Sequence, residues 1–174
     1  MMKVLFLDID GVLNTDSYQA SLHAQGKPGW DDYGQLFDPE AVANLKRILN
    51  AVPEVLIVVE SSWKANGIDE LRLMWKERKL PGELYDATPI IINEDLLTID
   101  LSDQDNIWKV EGFGKSQEVS AWLKTNNGRE CQYVILDDVP EFQSEHESHL
   151  VITDPRVGIT LEDAERAISI LLEQ

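Results

Sequence analysis

The run Val4-Leu5-Phe6-Leu7-Asp8-Ile9-Asp10-Gly11 constrains this chain more than any other stretch. Residues 3–8 have the length and the β-branched and aromatic content of a buried strand. That strand runs straight into two acids one residue apart. Alternate residues share one side of a strand, so Asp8 and Asp10 can face a common ligand.

The rest of the chain repeats the theme. Asp38-Pro39-Glu40 supplies an N-cap, an N1 proline and a first-turn acid, predicting a helix whose apolar face is Ala41, Val42, Leu45, Ile48 and Leu49. Residues 55–59 read as a second buried strand, 68–79 as a helix and 89–92 (Pro-Ile-Ile-Ile) as a third strand. An acidic loop of about twenty residues is expected next, then a helix over 116–124. Strands at 133–136 and 149–153 and an amphipathic helix over 161–174 complete the pattern. Apolar strands alternating with helices predict an α/β fold of three layers, with a Rossmann-like parallel sheet of about five strands covered on both faces.

In such sheets ligands bind beyond the carboxyl ends of the strands, near the switch in strand order. The expected strands end at Asp8-Ile9-Asp10, Glu60-Ser61-Ser62 and Asp137-Asp138. If they are neighbours, the acids and hydroxyls share one crevice. Carboxylates so gathered repel one another unless some are protonated or a cation sits among them. Oxygen donors with no nearby His or Cys favour Mg²⁺ over zinc. Beside Mg²⁺, a carboxylate can attack phosphorus to give an aspartyl-phosphate. A second acid can then serve as general acid and base.

These residues resemble the haloacid dehalogenase (HAD) superfamily. Asp8-Ile9-Asp10-Gly11-Val12-Leu13-Asn14 matches its first motif, Ser61-Ser62 its hydroxyl motif, Lys115 its lysine and Leu136-Asp137-Asp138 its acidic motif, all in the family's order. FDPEAVANLKRIL, ESSWK, GKSQEVSAWL, YVILDD and DPRVGITLEDAERAISIL are similar to the small HAD domain of Swiss Army Knife RNA repair proteins. That group usually carries Ser-Ser-Trp-Arg after the second strand, often with a further Ser in front; here Glu60 stands in front and Lys64 replaces Arg.

The resemblance implies a phosphatase. Asp8 would be nucleophile and metal ligand, and Asp10 the general acid/base with its carbonyl on the metal. Ser61, with Ser62 as the alternative, would bind the phosphoryl oxygens, and Lys115 would neutralise charge. Asp138 would be the direct metal ligand and Asp137 its support. Lys109 is the alternative to Lys115. Trp63 reads as a packing residue, with closure of the pocket as the other reading. His23, His146 and His149 show no ligand spacing.

The 174 residues, 43% of them apolar, read as one domain, with residues 14–37 as an irregular flap or minimal cap over the site. The N-terminal apolar run is too short to span a membrane and has no cleavage pattern after it. With Cys131 alone no internal disulfide can form, and a cytoplasmic setting is expected. A net charge of −17 disfavours a nucleic-acid partner. The largest basic cluster, Trp75 to Lys79, reads as a solvated helix face. A phosphorylated small molecule is therefore the expected substrate. A nucleic-acid end, or a non-catalytic phosphate-binding role on the same fold, is the alternative.

Overall fold

The computed structural model describes residues 1–91, 104–126 and 131–173, with residues 104–113 as backbone only. Strands β1 (Met2–Leu7), β4 (Leu56–Val59), β5 (Leu84–Ala87), β6 (Cys131–Asp137) and β7 (Leu150–Ile152) form one sheet in the order β5-β4-β1-β6-β7. Every pairing in it is parallel. The chain builds outward from β1 through β4 to β5, then crosses back to β6 on the other side of β1. The switch in strand order thus falls at β1, the strand that ends in Asp8.

Alternation along the central strands divides the core in two. Leu5 and Leu7 of β1 join Ile57, Val59, Val134 and Leu136 on one face, under helices α2 (Pro39–Ala51), α3 (Ile68–Glu77) and α5 (Leu161–Leu172). Val4 and Phe6 join Val58 and Ile135 on the other, under Val119 and Trp122 of α4 (Gln104–Thr125). These are the three expected layers. Helix starts follow local chemistry: Asp38 caps α2 by accepting from Glu40 N. Thr160 and Asp163 form a reciprocal capping box on α5.

Three expectations change. The third sheet strand is Leu84–Ala87, not 89–92; residues 89–91 are outside any strand, and Ile92 lies outside the described residues. Strand β5 is a sheet edge, and its sequence Leu-Tyr-Asp-Ala, buried only at Leu84, lacks the continuous apolar run of a central strand. The flap is not irregular. It contains helix α1 (Asp16–Ala24), capped by Thr15, and a hairpin of β2 (Trp30–Asp31) and β3 (Gly34–Gln35). Helix α1 buries only Leu22, so it leaves almost no periodic apolar signal. Finally, α4 begins at Gln104 and runs through Gly112 and Gly114, which read as loop residues in the sequence. Part of the expected acidic loop is therefore helix, and residues 92–103 lie outside the described residues. Among the described residues no helix is long and apolar enough to cross a membrane.

Candidate active site

Strand register brings the acids together. Leu7 pairs with Val59 on one side and with Leu136 on the other. The next residue on each strand is Glu60, Asp8 and Asp137, so three carboxylates stand side by side on three adjacent strands. All three occupy the alternation position of Phe6, Val58 and Ile135, the face covered by α4. Backbone bonds from Asp8 N to Leu136 O and from Glu60 N to Leu7 O, both 3.0 Å, continue the ladder to this row and hold it rigid.

Lys115 reaches the row from α4. Its Nζ donates to Asp8 Oδ2 at 2.7 Å and to Asp137 Oδ2 at 2.9 Å. The sequence places Lys115 just before a helix over 116–124; in the structure it sits inside α4, which begins at Gln104. Burial works against its ammonium, but the carboxylates of Glu60, Asp8 and Asp137 outweigh burial and hold its pKa above the ordinary value. Lys109 falls in α4 among the residues described as backbone only.

The acids respond in the opposite sense. Burial, then the Asp8 charge, pushes the Asp137 carboxyl up to about 7, against the pull of Lys115. Burial and Asp8 also raise Asp138. Glu60 is fully buried, and among the described residues neither of its carboxylate oxygens has a hydrogen-bond donor. Burial first, and Asp137 and Asp8 next, raise its pKa well above the usual carboxylate range. One lysine does not neutralise four acids.

One carboxylate oxygen from each of Asp8, Asp137 and Asp138 lies within 4.8 Å of the others. All are hard oxygen donors, and their excess negative charge fits a divalent cation of the Mg²⁺ type. Both oxygens of Asp137 are engaged, Oδ2 by Lys115 and Oδ1 by Val139 N at 2.8 Å, as are those of Asp8, by Lys115 and by Ile9 N at 2.7 Å. Among the described residues, Lys115 makes its hydrogen bonds to Asp8 and Asp137 and none to Asp138. Gly11 makes room for it: a Cβ at Gly11 would stand 2.6 Å from Asp138 Cγ and closer still to Oδ2, and the backbone there has φ +70°.

Asp10 lies beyond the strand and is exposed. Its Oδ1 accepts two hydrogen bonds, from Asn14 Nδ2 at 2.6 Å and from the indole Nε1 of Trp63 at 3.0 Å. Asn14 Oδ1 in turn accepts from Gly11 N at 3.0 Å. Trp63 therefore does more than pack, which is the reading its sequence position favours. It also lies against Phe37, with ring centroids 5.6 Å apart. The only signal in the sequence is its place directly after Ser61-Ser62.

Ser61 is buried and caps the 3₁₀ turn Ser62–Asn66; Ser62 is exposed. Lys64 does not reach the acid row. Its ammonium is buried in an ion pair with Glu118 and donates to Thr88 Oγ1 at 2.8 Å. The histidines stay outside the site: His146 is buried between Ser120 and Tyr133, His149 stacks on Tyr133, and His23 is exposed.

A parallel sheet whose central strand delivers a carboxylate to a lysine from the covering layer, beside a paired acid on the next strand, is the arrangement of a HAD-type hydrolase. The chain belongs to the family described as the HAD domain in Swiss Army Knife RNA repair proteins, whose profile matches residues 4–164. No significant match came from comparison with curated proteins or with solved structures.

Proposed function

We propose that this chain is a Mg²⁺-dependent phosphomonoester hydrolase that works through an aspartyl-phosphate on Asp8. The observation that carries this reading is the Asp8–Lys115 contact at 2.7 Å, made where β1 ends, two residues before Asp10. A carboxylate held by an ammonium on one oxygen is fixed in orientation, as a nucleophile must be. Asp8 forms the bond to phosphorus as the ester P–O bond breaks, and Asp10 passes its proton to the leaving oxygen. Asp10, now a carboxylate, takes a proton from the water that attacks phosphorus. The bond between Asp8 and phosphorus breaks, releasing phosphate and restoring both acids.

Lys115 offsets charge on the phosphoryl group, and Ser61 donates its hydroxyl to a phosphoryl oxygen, with Ser62 as the alternative. Asp8, Asp138 and the Asp10 carbonyl would hold Mg²⁺, with Asp137 in support; bound there, the ion supplies Lewis-acid stabilisation of the phosphoryl oxygens. The substrate is a phosphorylated small molecule. The occurrence of this family in RNA repair proteins favours a nucleic-acid end as a second reading, and the net charge of −17 opposes it.

Hydrolysis of an aryl phosphate with and without Mg²⁺ tests the reading. Asp8→Asn and Asp10→Asn are each expected to lower kcat by at least a hundredfold. Unchanged activity in both variants would refute the mechanism. Release of phosphate from end-phosphorylated oligonucleotides, with none from a panel of small phosphate esters, would select the second reading.

A further inference from the structure

We propose that Trp63 is a positioning residue for Asp10, and that the β2–β3 hairpin and Arg78 exist to hold its indole in place. The proposal rests on the phosphatase reading and deepens it.

Asp10 is exposed and sits past the end of β1, so the ladder that fixes Asp8 does not fix Asp10. A general acid/base must nevertheless present one oxygen at a defined place, first with a proton and then without it. Both N–H donors found on Asp10, from Asn14 and Trp63, fall on Oδ1. Two donors on one oxygen orient the carboxyl plane and keep the proton off that atom. Oδ2 is then the oxygen that gives its proton to the leaving group and takes one from water.

The indole is itself clamped. Arg78, just past α3, lies 4.5 Å over the Phe37 ring and 5.6 Å from the Trp63 ring. Its guanidinium binds both oxygens of Asp31, at 2.6 and 2.9 Å, and the carbonyls of Gly34 and Gln35 at 3.2 and 3.0 Å. Tyr33 adds a bond from its hydroxyl to Glu77 at 2.8 Å. The hairpin is thereby fastened to α3 directly against Trp63. The fit is close, because a Cβ on Gly34 would meet the indole at 3.0 Å, with φ +126°. Arg78 thus leaves the solvated basic face expected from sequence. It joins the flap to the acid through one aromatic ring.

The test uses the full chain with Mg²⁺ and two substrates, p-nitrophenyl phosphate and glycerol phosphate. Trp63 is replaced by β-(3-benzothienyl)alanine, which keeps the ring and exchanges N–H for sulfur, and separately by Phe. An alkoxide leaving group needs the Asp10 proton more than a nitrophenolate does. The isostere is expected to lower kcat on glycerol phosphate by about tenfold to a hundredfold, with a smaller loss on the aryl ester and KM unchanged. Equal kcat to wild type on both esters would overturn the proposal. Asp10→Asn separates the two readings. If it leaves hydrolysis intact, the phosphatase role of Asp10 fails; if it abolishes hydrolysis while the isostere does nothing, only the role of Trp63 fails.

A second measurement needs no turnover. The Trp63 indole N–H resonance, assigned by its loss in Trp63→Phe, is expected downfield and to move upfield in Asp10→Ala. An indole resonance indifferent to Asp10→Ala would also overturn the proposal.

Discussion

Replacing Lys115 by Met probes the centre most directly. Met keeps the unbranched stem and suits a helix, so the change removes little except the charge. The ammonium bonds Asp8 and Asp137 at 2.7 and 2.9 Å, and its own side chain is 18% exposed against 5% and 0% for its partners. Taking one partner from a buried ion pair costs about 3–5 kcal/mol, and the partial exposure of Lys115 argues for the lower end, about 3 kcal/mol. For a chain of this length that lowers Tm by roughly 6–12 °C in chelator at pH 8.

The deficit depends on pH. Asp137 already titrates near 7, above its ordinary value, so the folded state holds a proton that the unfolded state releases. The stability linked to that proton is present at low pH and is lost as pH rises through about 7. Removing Lys115 raises that pKa further and steepens the loss, so the gap from wild type widens between pH 5.5 and 8. Mg²⁺ at about a hundred times its Kd returns about 2.7 kcal/mol to whichever protein binds it. Melting followed by circular dichroism, in chelator and in Mg²⁺, reads all of this. A variant that melts within 2 °C of wild type at pH 8 in chelator, or whose gap is flat with pH, would refute the electrostatic argument. Lys115→Arg is the control: it keeps the charge and most of the stability, while the different donor geometry lowers kcat.

Glu60→Gln removes the unpartnered buried acid. It should gain stability over wild type as pH rises from 5 to 9 in chelator, because the raised pKa of Glu60 makes wild type lose stability over that range; parallel pH profiles of Tm would contradict this. Gly11→Ala forces Asp138 aside and places a side chain at positive φ, costing about 1–2 kcal/mol and weakening Mg²⁺ binding, which Tm shifts on Mg²⁺ titration report. Arg78→Ala frees the hairpin from α3 and should lower kcat by about threefold to tenfold with little change in KM, measured on glycerol phosphate. Asp138→Asn should raise the Mg²⁺ concentration needed for half-maximal activity by at least tenfold, read from a metal titration.

The parts legible in the sequence were those with a strong local pattern. The strand into Asp8, the capped helix after Asp38 and the amphipathic C-terminal helix announce themselves by period, cap or apolar run. Where the pattern was weak or misleading, reading failed. Helix α1 buries one side chain, β5 is an edge strand with an acid in it, and α4 passes through two glycines. Tertiary packing stabilises each of them, and packing leaves no periodic trace when few residues on the element are buried.

The sequence alone settled that two acids close a buried strand and that further acids and hydroxyls end two others, because strand length and alternation are local properties of the chain. It could not say that Glu60, Asp8 and Asp137 stand level, since register is decided by pairing between strands far apart in the chain. Nor could it place Lys115 on two of those acids, or the Trp63 indole on Asp10 across 53 residues. Such contacts depend on how α4 and the flap dock against the sheet. Docking is set by the shape of the whole core, to which no single stretch of sequence corresponds.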